Sequence, residues 1–504
     1  MSTEPANKTR WLRLLDSLLP LAIALIFLVF TFSYFPFREK LQFDSDEGLN
    51  LMRSMLVALG HPLYAEVSSD QPPLFTHLLA LLFRMVGFEV NPARMLVLLF
   101  AALLVWSGAQ ILQLTWGKLA AILFLPLAIM VPQFLRLSTS VMIGVPSIAL
   151  AAVAMVLIIL WHLKKDSIWL FLSGFALALS VLIKLFTGFF APIFLIGLTA
   201  SAYVERRESG FSWRIFRPAL LWGVSFASLG ILLGLALVGP QNLLSITAPH
   251  ISAPSTEGLG GANYTLINHI RAAFPLLALG ALGALVSVYR RNWLALYPLA
   301  WSAVAFVLFS FYSPVFYHHQ LLITIPITIM AAAAVGQGAL SLLRLKNSRD
   351  ILRFQTLLGA GALIGFVLVS FHYAPTLDRE LMNSPRLTDF SLRATVGKLR
   401  VIDAMSAYSD LTNWIVTDMP MYAFRVGRPV PPALATFSSK RLATGSLTEE
   451  DILSTMREYK PEQVLMARFV IPPLEKYLEG NYTLIFEAEF FRLFLRNDLA
   501  PVTK

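Results

Sequence analysis

The chain has 504 residues, of which 57% are hydrophobic and only 14% charged, with a net charge of +10 and no cysteine. Charged residues usually make up about a quarter of a soluble domain, so a soluble globular protein is excluded and a polytopic α-helical membrane protein is indicated. Without cysteine there is no disulfide framework or thiolate metal site, and basic cytoplasmic loops explain the positive balance better than nucleic acid does.

In chain order, the apolar segments able to span a bilayer are Leu14–Phe35, Met95–Leu114, Lys118–Pro132, Ser140–Leu160, Ile168–Ile183 and Leu185–Tyr203. They continue with Pro218–Val238, Ala272–Val288, Trp293–Tyr312, Gln320–Leu343 and Phe354–Phe371, about eleven in all. Several are shorter than the ~20 residues a span needs, so their true ends lie a few positions out. The first run ends in Tyr34 and Phe35 rather than in a small-residue cleavage site and reads as a retained anchor. Pro73–Phe88 is short, carries His77 and Arg84, and reads as a juxtamembrane helix.

Loop charge tests that choice. With eleven spans and a cytoplasmic N-terminus, the inner loops hold Lys118, Lys164, Lys165, Arg206, Arg207, Arg290, Arg291, Arg344, Lys346, Arg349 and Arg353. The short outer loops after the first hold only Arg136, Lys184 and Arg271. Counting Pro73–Phe88 as a span reverses the clusters from Lys118 onward, against the positive-inside rule. The expected location is the plasma (inner) membrane, multi-pass, with the C-terminal domain extracytoplasmic.

The first long polar break, about residues 36–94, contains Phe43-Asp44-Ser45-Asp46-Glu47-Gly48. Carboxylates beside a bilayer are costly unless something uses them, so function is to be sought here first. Asp44 and Glu47 also have capping-box spacing ahead of a helix with an apolar face from Leu49, Met52, Leu56 and Leu59. Asp46 then falls in the first turn, where the helix dipole favours its ionised form.

Residues 1–372 form the membrane part. From Tyr373 charges return, and 373–504 reads as a small C-terminal α/β domain. Trp414–Asp418 reads as a buried strand ending in a turn residue, Asp418. Leu447–Tyr459 reads as a helix starting at Thr448, and Gln463–Phe469 and Tyr482–Leu495 as further strands.

In the first loop, Gly60-His61-Pro62-Leu63-Tyr64 and Asp70-Gln71-Pro72-Pro73-Leu74 follow the acidic stretch. An Asp-Glu pair after the first span, then Gly-x-x-x-Tyr, then a Pro-Pro-Leu turn resembles the GT-C glycosyltransferases, nearest the protein O-mannosyltransferase and lipid A aminoarabinose transferase branch. Arg94, Ser140–Pro146, Lys184 and His318-His319 share in the likeness, which covers most of Asp44–Gly336. The resemblance implies a GT-C fold, a polyprenyl-phosphate sugar donor, and a lipid, glycan or protein acceptor on the outer face. It implies Asp46 as general base and Glu47 as its catalytic neighbour.

Sugar transfer also needs cations near the departing phosphate. Lys184, His318, His319 and Arg136 are the candidates, with Asp70, Gln71 and Tyr64 as a supporting loop. Lys184 has a second reading as a lysine snorkelling from a helix end, and the histidines as interfacial residues. Many relatives carry Lys where Gln71 stands and an acid near Gly144. The first departure removes a phosphate contact, and the second counts against a two-carboxylate site, which leaves a divalent metal possible but not favoured. A secondary transporter or lipid flippase is the rival reading, though no two halves match and the acidic cluster lies in a loop rather than mid-span. A catalytically decayed scaffold would also suit Gln71 and Gly144.

Overall fold

A computed structural model describes residues 6–205, 213–242, 265–312, 315–343, 354–382 and 393–500. The basic residues Arg206, Arg207, Arg344, Lys346, Arg349 and Arg353 of the loop-charge argument lie outside the described residues. The chain opens with α1 (Ala6–Tyr34), then crosses the polar break through α2 (Ser45–Leu59) and α3 (Leu74–Val86) to α4 (Val90–Trp116). Next come α5 (Lys118–Met130), a short α6 (Phe134–Thr139), α7 (Gly144–Lys164) and α8 (Ile168–Ile183). The helical part ends with α9 (Phe190–Glu205), α10 (Arg217–Val238), α11 (Leu266–Tyr289), α12 (Leu296–Phe311), α13 (Leu321–Leu343) and α14 (Phe354–Met382).

Among the described residues nine helical segments are long and apolar enough to cross a bilayer, which makes this a multi-pass membrane protein. Two of the eleven expected spans, α5 and α8, have 13 and 16 residues and fall short of that length. The helix expected from Pro73 to Phe88 is the 13-residue α3. α13 is the axis of the bundle. Every side chain from Leu321 to Gly336 is buried, as suits a helix apolar on all faces. α1 and α10 lie outside it and expose Leu25, Ile26, Val29, Ile231 and Leu232, the surface a lipid solvent accepts.

α14 runs on past Tyr373, whose hydroxyl donates to the Ala272 carbonyl at 2.9 Å, so the change in composition falls inside a helix. After α15 (Arg393–Ser406), the C-terminal unit contains β1 (Ile415–Thr417), α16 (Pro420–Arg425), α17 (Ser439–Ala443) and α18 (Glu449–Tyr459). It finishes with β2 (Gln463–Met466), α19 (Pro472–Asn481), β3 (Tyr482–Ala488) and β4 (Phe491–Arg496). Strand order is β1-β2-β4-β3, with β1 and β2 parallel and the other pairs antiparallel. The single strand expected at Tyr482–Leu495 is a hairpin that turns at Glu489, a residue with φ of 55°. α18 begins as its sequence indicates: Thr448 and Asp451 exchange side-chain bonds with each other's backbone N–H in a capping box.

This unit docks on the first loop. Arg425 donates to the Lys40 and Leu41 carbonyls, both at 2.8 Å, and Thr436 Oγ1 to the Ser68 carbonyl at 2.8 Å. α16 lies so close to α2 that a Cβ on Gly48 would stand 2.6 Å from the Met421 backbone nitrogen. Only glycine permits that approach.

Candidate active site

Glu47 holds the acidic stretch in place. Its carboxylate and Arg94 form a two-pronged ion pair, Nε to Oε1 at 2.8 Å and Nη2 to Oε2 at 2.9 Å, with both side chains fully buried. Arg94 also donates to the Phe37 and Lys40 carbonyls, at 2.6 and 2.8 Å. Glu47 accepts from the backbone N–H of Phe43 at 2.9 Å and of Val141 at 3.2 Å. A buried pair is tolerated when its remaining hydrogen-bonding capacity is filled, as here. Glu47, the expected catalytic neighbour of Asp46, thus has its oxygens occupied and does not line the cleft that Asp46 lines. It is also no capping-box partner, because it reaches the Phe43 N–H rather than that of Asp44.

Asp44 does cap α2, its Oδ1 accepting from the Asp46 N–H at 2.8 Å. Its Oδ2 accepts from the Tyr317 hydroxyl at the start of the α13 segment. Asp46, Asn50 and Arg53 follow at helical spacing along one face of α2, and all three line a cleft of about 420 Å³. Asn50 donates to the Val141 carbonyl at 2.9 Å and accepts from Arg53 at 2.7 Å. Arg53 also donates to Ser69 Oγ at 3.0 Å and stands 3.9 Å from Asp70.

Asp70, Gln71, Lys184, His318 and His319 line the same cleft, so most of the predicted set is brought together. Tyr64 stands behind it at φ 70°, its hydroxyl donating to the Gln71 carbonyl at 2.7 Å and shaping the turn. Arg136, expected among the donor-phosphate cations, does not line the cleft. Its guanidinium donates to the Phe43 carbonyl and lies 4.9 Å over the Tyr317 ring. Lys184 is buried, 5.5 Å from the centroid of the Phe186 ring. His319 packs among Phe186, Phe309 and Tyr312, and its Nδ1 has no partner among the described residues.

The far wall comes from the C-terminal unit, through Thr436, Ser438, Ser439, Lys440, Ala443 and Arg468. Lys440 pairs with Asp70 at 3.3 Å, so Asp70 is shared between Lys440 and Arg53. Asp418 is more than a turn residue. Fully buried at the end of β1, it accepts from the backbone N–H groups of Ala467 (3.0 Å), Arg468 (2.6 Å) and Phe469 (2.8 Å). It thereby fixes the loop that presents Arg468.

Burial, with the Asp44 charge next and Asp70 after it, pushes the Asp46 carboxyl up to about 6, against Arg53 and Lys184. The lowering expected from the helix dipole is thereby outweighed. Burial pulls Lys184 down to about 8, with Asp46 opposing. The cleft thus offers a carboxylate able to accept a proton and an ammonium able to meet an anion. Among the described residues no three His, Asp or Glu side chains gather as a metal cluster.

Residues 70–238 match the dolichyl-phosphate-mannose-protein mannosyltransferase family. No curated protein sequence matches the chain. The fold is similar to that of apo ArnT from Cupriavidus metallidurans, with TM-score 0.57 and 16% identity over 97% of this chain and 98% of that one. The same protein bound to undecaprenyl phosphate gives 0.56 and 14% over 96% and 98%. The oligosaccharyltransferase AglB from Archaeoglobus fulgidus, in complex with an inhibitory peptide and a dolichol-phosphate, gives 0.57 and 12% over 99% and 76%. The chain has the GT-C fold.

Proposed function

We propose that this GT-C membrane protein is a glycosyltransferase that moves a sugar from a polyprenyl-phosphate donor to a lipid, glycan or protein acceptor on the extracytoplasmic face. The observation that carries the reading is that Asp46, a carboxyl, and Lys184, an amine, line one cleft. In the reaction Asp46 takes the acceptor proton as the acceptor atom bonds to the anomeric carbon. The bond from that carbon to the phosphate oxygen breaks on the opposite face, and the lipid phosphate leaves with the electron pair. General-base help of this kind is worth about 10²–10⁴-fold. Lys184, with the histidine turn beside it, meets the charge that builds on the leaving phosphate. Lys440 and Arg468 stand in the wall supplied by the C-terminal unit and face the acceptor.

The family match and the lipid-phosphate ligands named for two structural neighbours support a lipid-linked donor. The loop charges support a cytoplasmic N-terminus, and a reporter fused at Lys504 that is active only in the cytoplasm would overturn that placement. The direct test incubates purified protein with a panel of polyprenyl-phosphate sugars and scores release of free lipid phosphate. Release from at least one donor, lost in Asp46→Asn, is expected. Folded protein that releases lipid phosphate from none of them rejects the reading.

A further inference from the structure

We propose that Asp44 and Tyr317 are positioning residues for the chemistry of Asp46, Tyr317 fixing the Asp44 carboxylate beside Asp46 as a second working acid of the cleft. The inference rests on the reading of Asp46 as the general base.

Capping a helix needs one oxygen atom, and elsewhere in the chain Ser438 and Thr448 do it with a hydroxyl. Asp44 spends Oδ1 on that task, accepting from the Asp46 N–H at 2.8 Å and lying 3.5 Å from the Ser45 hydroxyl. The second oxygen is free of the cap, and the Tyr317 hydroxyl, 273 residues away in sequence, donates to it. Tyr317 is itself held from two sides. It leads into the buried axis α13, and the Arg136 guanidinium covers its ring at 4.9 Å. Arg136 is in turn tied to the Phe43 carbonyl, just before the acidic stretch, and to Gln133 Oε1 at 3.4 Å. The Asp44 carboxylate therefore has both oxygens anchored and cannot swing out of the cleft it lines.

The charged and titratable groups around Asp46 are Asp44 before it, Arg53 on the same helix, Asp70 from the first loop, Lys184 after α8, and the Tyr317 phenol. Of the two acids, Asp44 acts more strongly on Asp46, and it is the one with no cation paired to it among the described residues; Asp70 is shared by Arg53 and Lys440. A fixed carboxylate at close range makes the protonated form of its neighbour easier to reach. That is what a base must become at the moment the acceptor gives up its proton. Asp44 thus serves the step without touching substrate.

The test uses the full chain in lipid nanodiscs and needs no donor. Isotope-edited infrared spectra follow titration of the Asp46 carboxyl, identified by the band that Asp46→Asn removes. In Asp44→Asn the midpoint moves to lower pH by roughly one unit or more. Asparagine caps as well as aspartate does, so a cap-only role predicts no movement, and an unmoved midpoint overturns the proposal. Tyr317→Phe is made alone and in the Asp44→Asn background. It alters the Asp46 titration in the first case and leaves it unaltered in the second, because Tyr317 acts through Asp44. Equal shifts in both backgrounds overturn the anchoring role. If no donor in the panel turns over, the glycosyltransferase reading fails while these titrations still decide where Asp44 acts. If one does, the acid limb of its turnover moves with the infrared midpoint.

Discussion

On the α2 side of the cleft, Asp44, Asn50 and Arg53, with Glu47 and Arg94 behind them, each reach a protein partner. On the other side Lys184 has no carboxylate within ion-pair distance among the described residues, and His319 leaves Nδ1 unpartnered in an aromatic shell. Buried polar groups normally have their hydrogen bonds made, so an unfinished set beside a cavity marks where something else completes it. The acidic side is finished by the protein's own groups, whereas the Lys184 side is not. The proposed transfer from a lipid-phosphate sugar calls for that division, a rigid base against a phosphate seat.

The largest expected effect breaks the finished side. Arg94→Met strands the Glu47 carboxylate in a dry interior, and loss of one partner from a buried pair costs about 3–5 kcal/mol. Thermal unfolding in detergent should show it, and a variant as stable as the parent would mean that the acidic side is not fixed by this pair. Next comes the base itself. Asp46→Asn should lower turnover by about 10² or more, close to 2.7 kcal/mol, with folding and donor binding intact. Undiminished turnover would remove Asp46 from the chemistry.

The unfinished side is sharpened by Lys184→Met, which should weaken donor binding by about 1.5–3 kcal/mol through loss of a charge-assisted contact. Equal donor affinity in parent and variant would return Lys184 to a snorkelling lysine. Both sides enter the pH profile of kcat/KM. Activity needs Asp46 ionised and Lys184 protonated, so it should rise with pH through about 6 and fall through about 8. A profile flat between pH 5 and pH 9 would disconnect both groups from the rate. The smallest effect is expected at Gly144, where an added Cβ meets only the His318 carbonyl, at 3.9 Å. Gly144→Ala should unfold within a few degrees of the parent, and a large loss would show that the cleft floor is tighter than its geometry indicates.

The helical bundle and the acidic motif could be read from the sequence because each is a local pattern, an apolar run or a cluster of carboxylates where lipid should be. Asn50 and Arg53 were readable too, four and seven residues after Asp46, but helical spacing was applied only to the apolar face of α2. Tyr317 stood beside the histidine pair that drew attention, and nothing in its neighbourhood points to Asp44. Lys440 and Arg468 were out of reach of any local pattern. Lys440 meets Asp70 across 370 residues, through the docking of α16 on α2. Arg136 misled because a cation in an outer loop looks free until its carbonyl and aromatic partners are seen. Glu47 misled for the same reason: spacing offers candidates, and only packing shows which oxygens are already taken.

The wall that the C-terminal unit adds to the cleft has a consequence for the timing of synthesis. Ribosomes make the Asp46 helix within about the first eighth of the chain and Lys440 within about the last seventh. From Lys184 to Lys440, about half the length of the chain, a nascent polypeptide therefore carries Asp46 and Lys184 without that wall. The unit that supplies the wall docks with α16 against Gly48, an approach that any side chain at that position would block. A product cut short before Thr436 would carry Asp46 and Lys184 without the wall that Thr436, Lys440 and Arg468 supply.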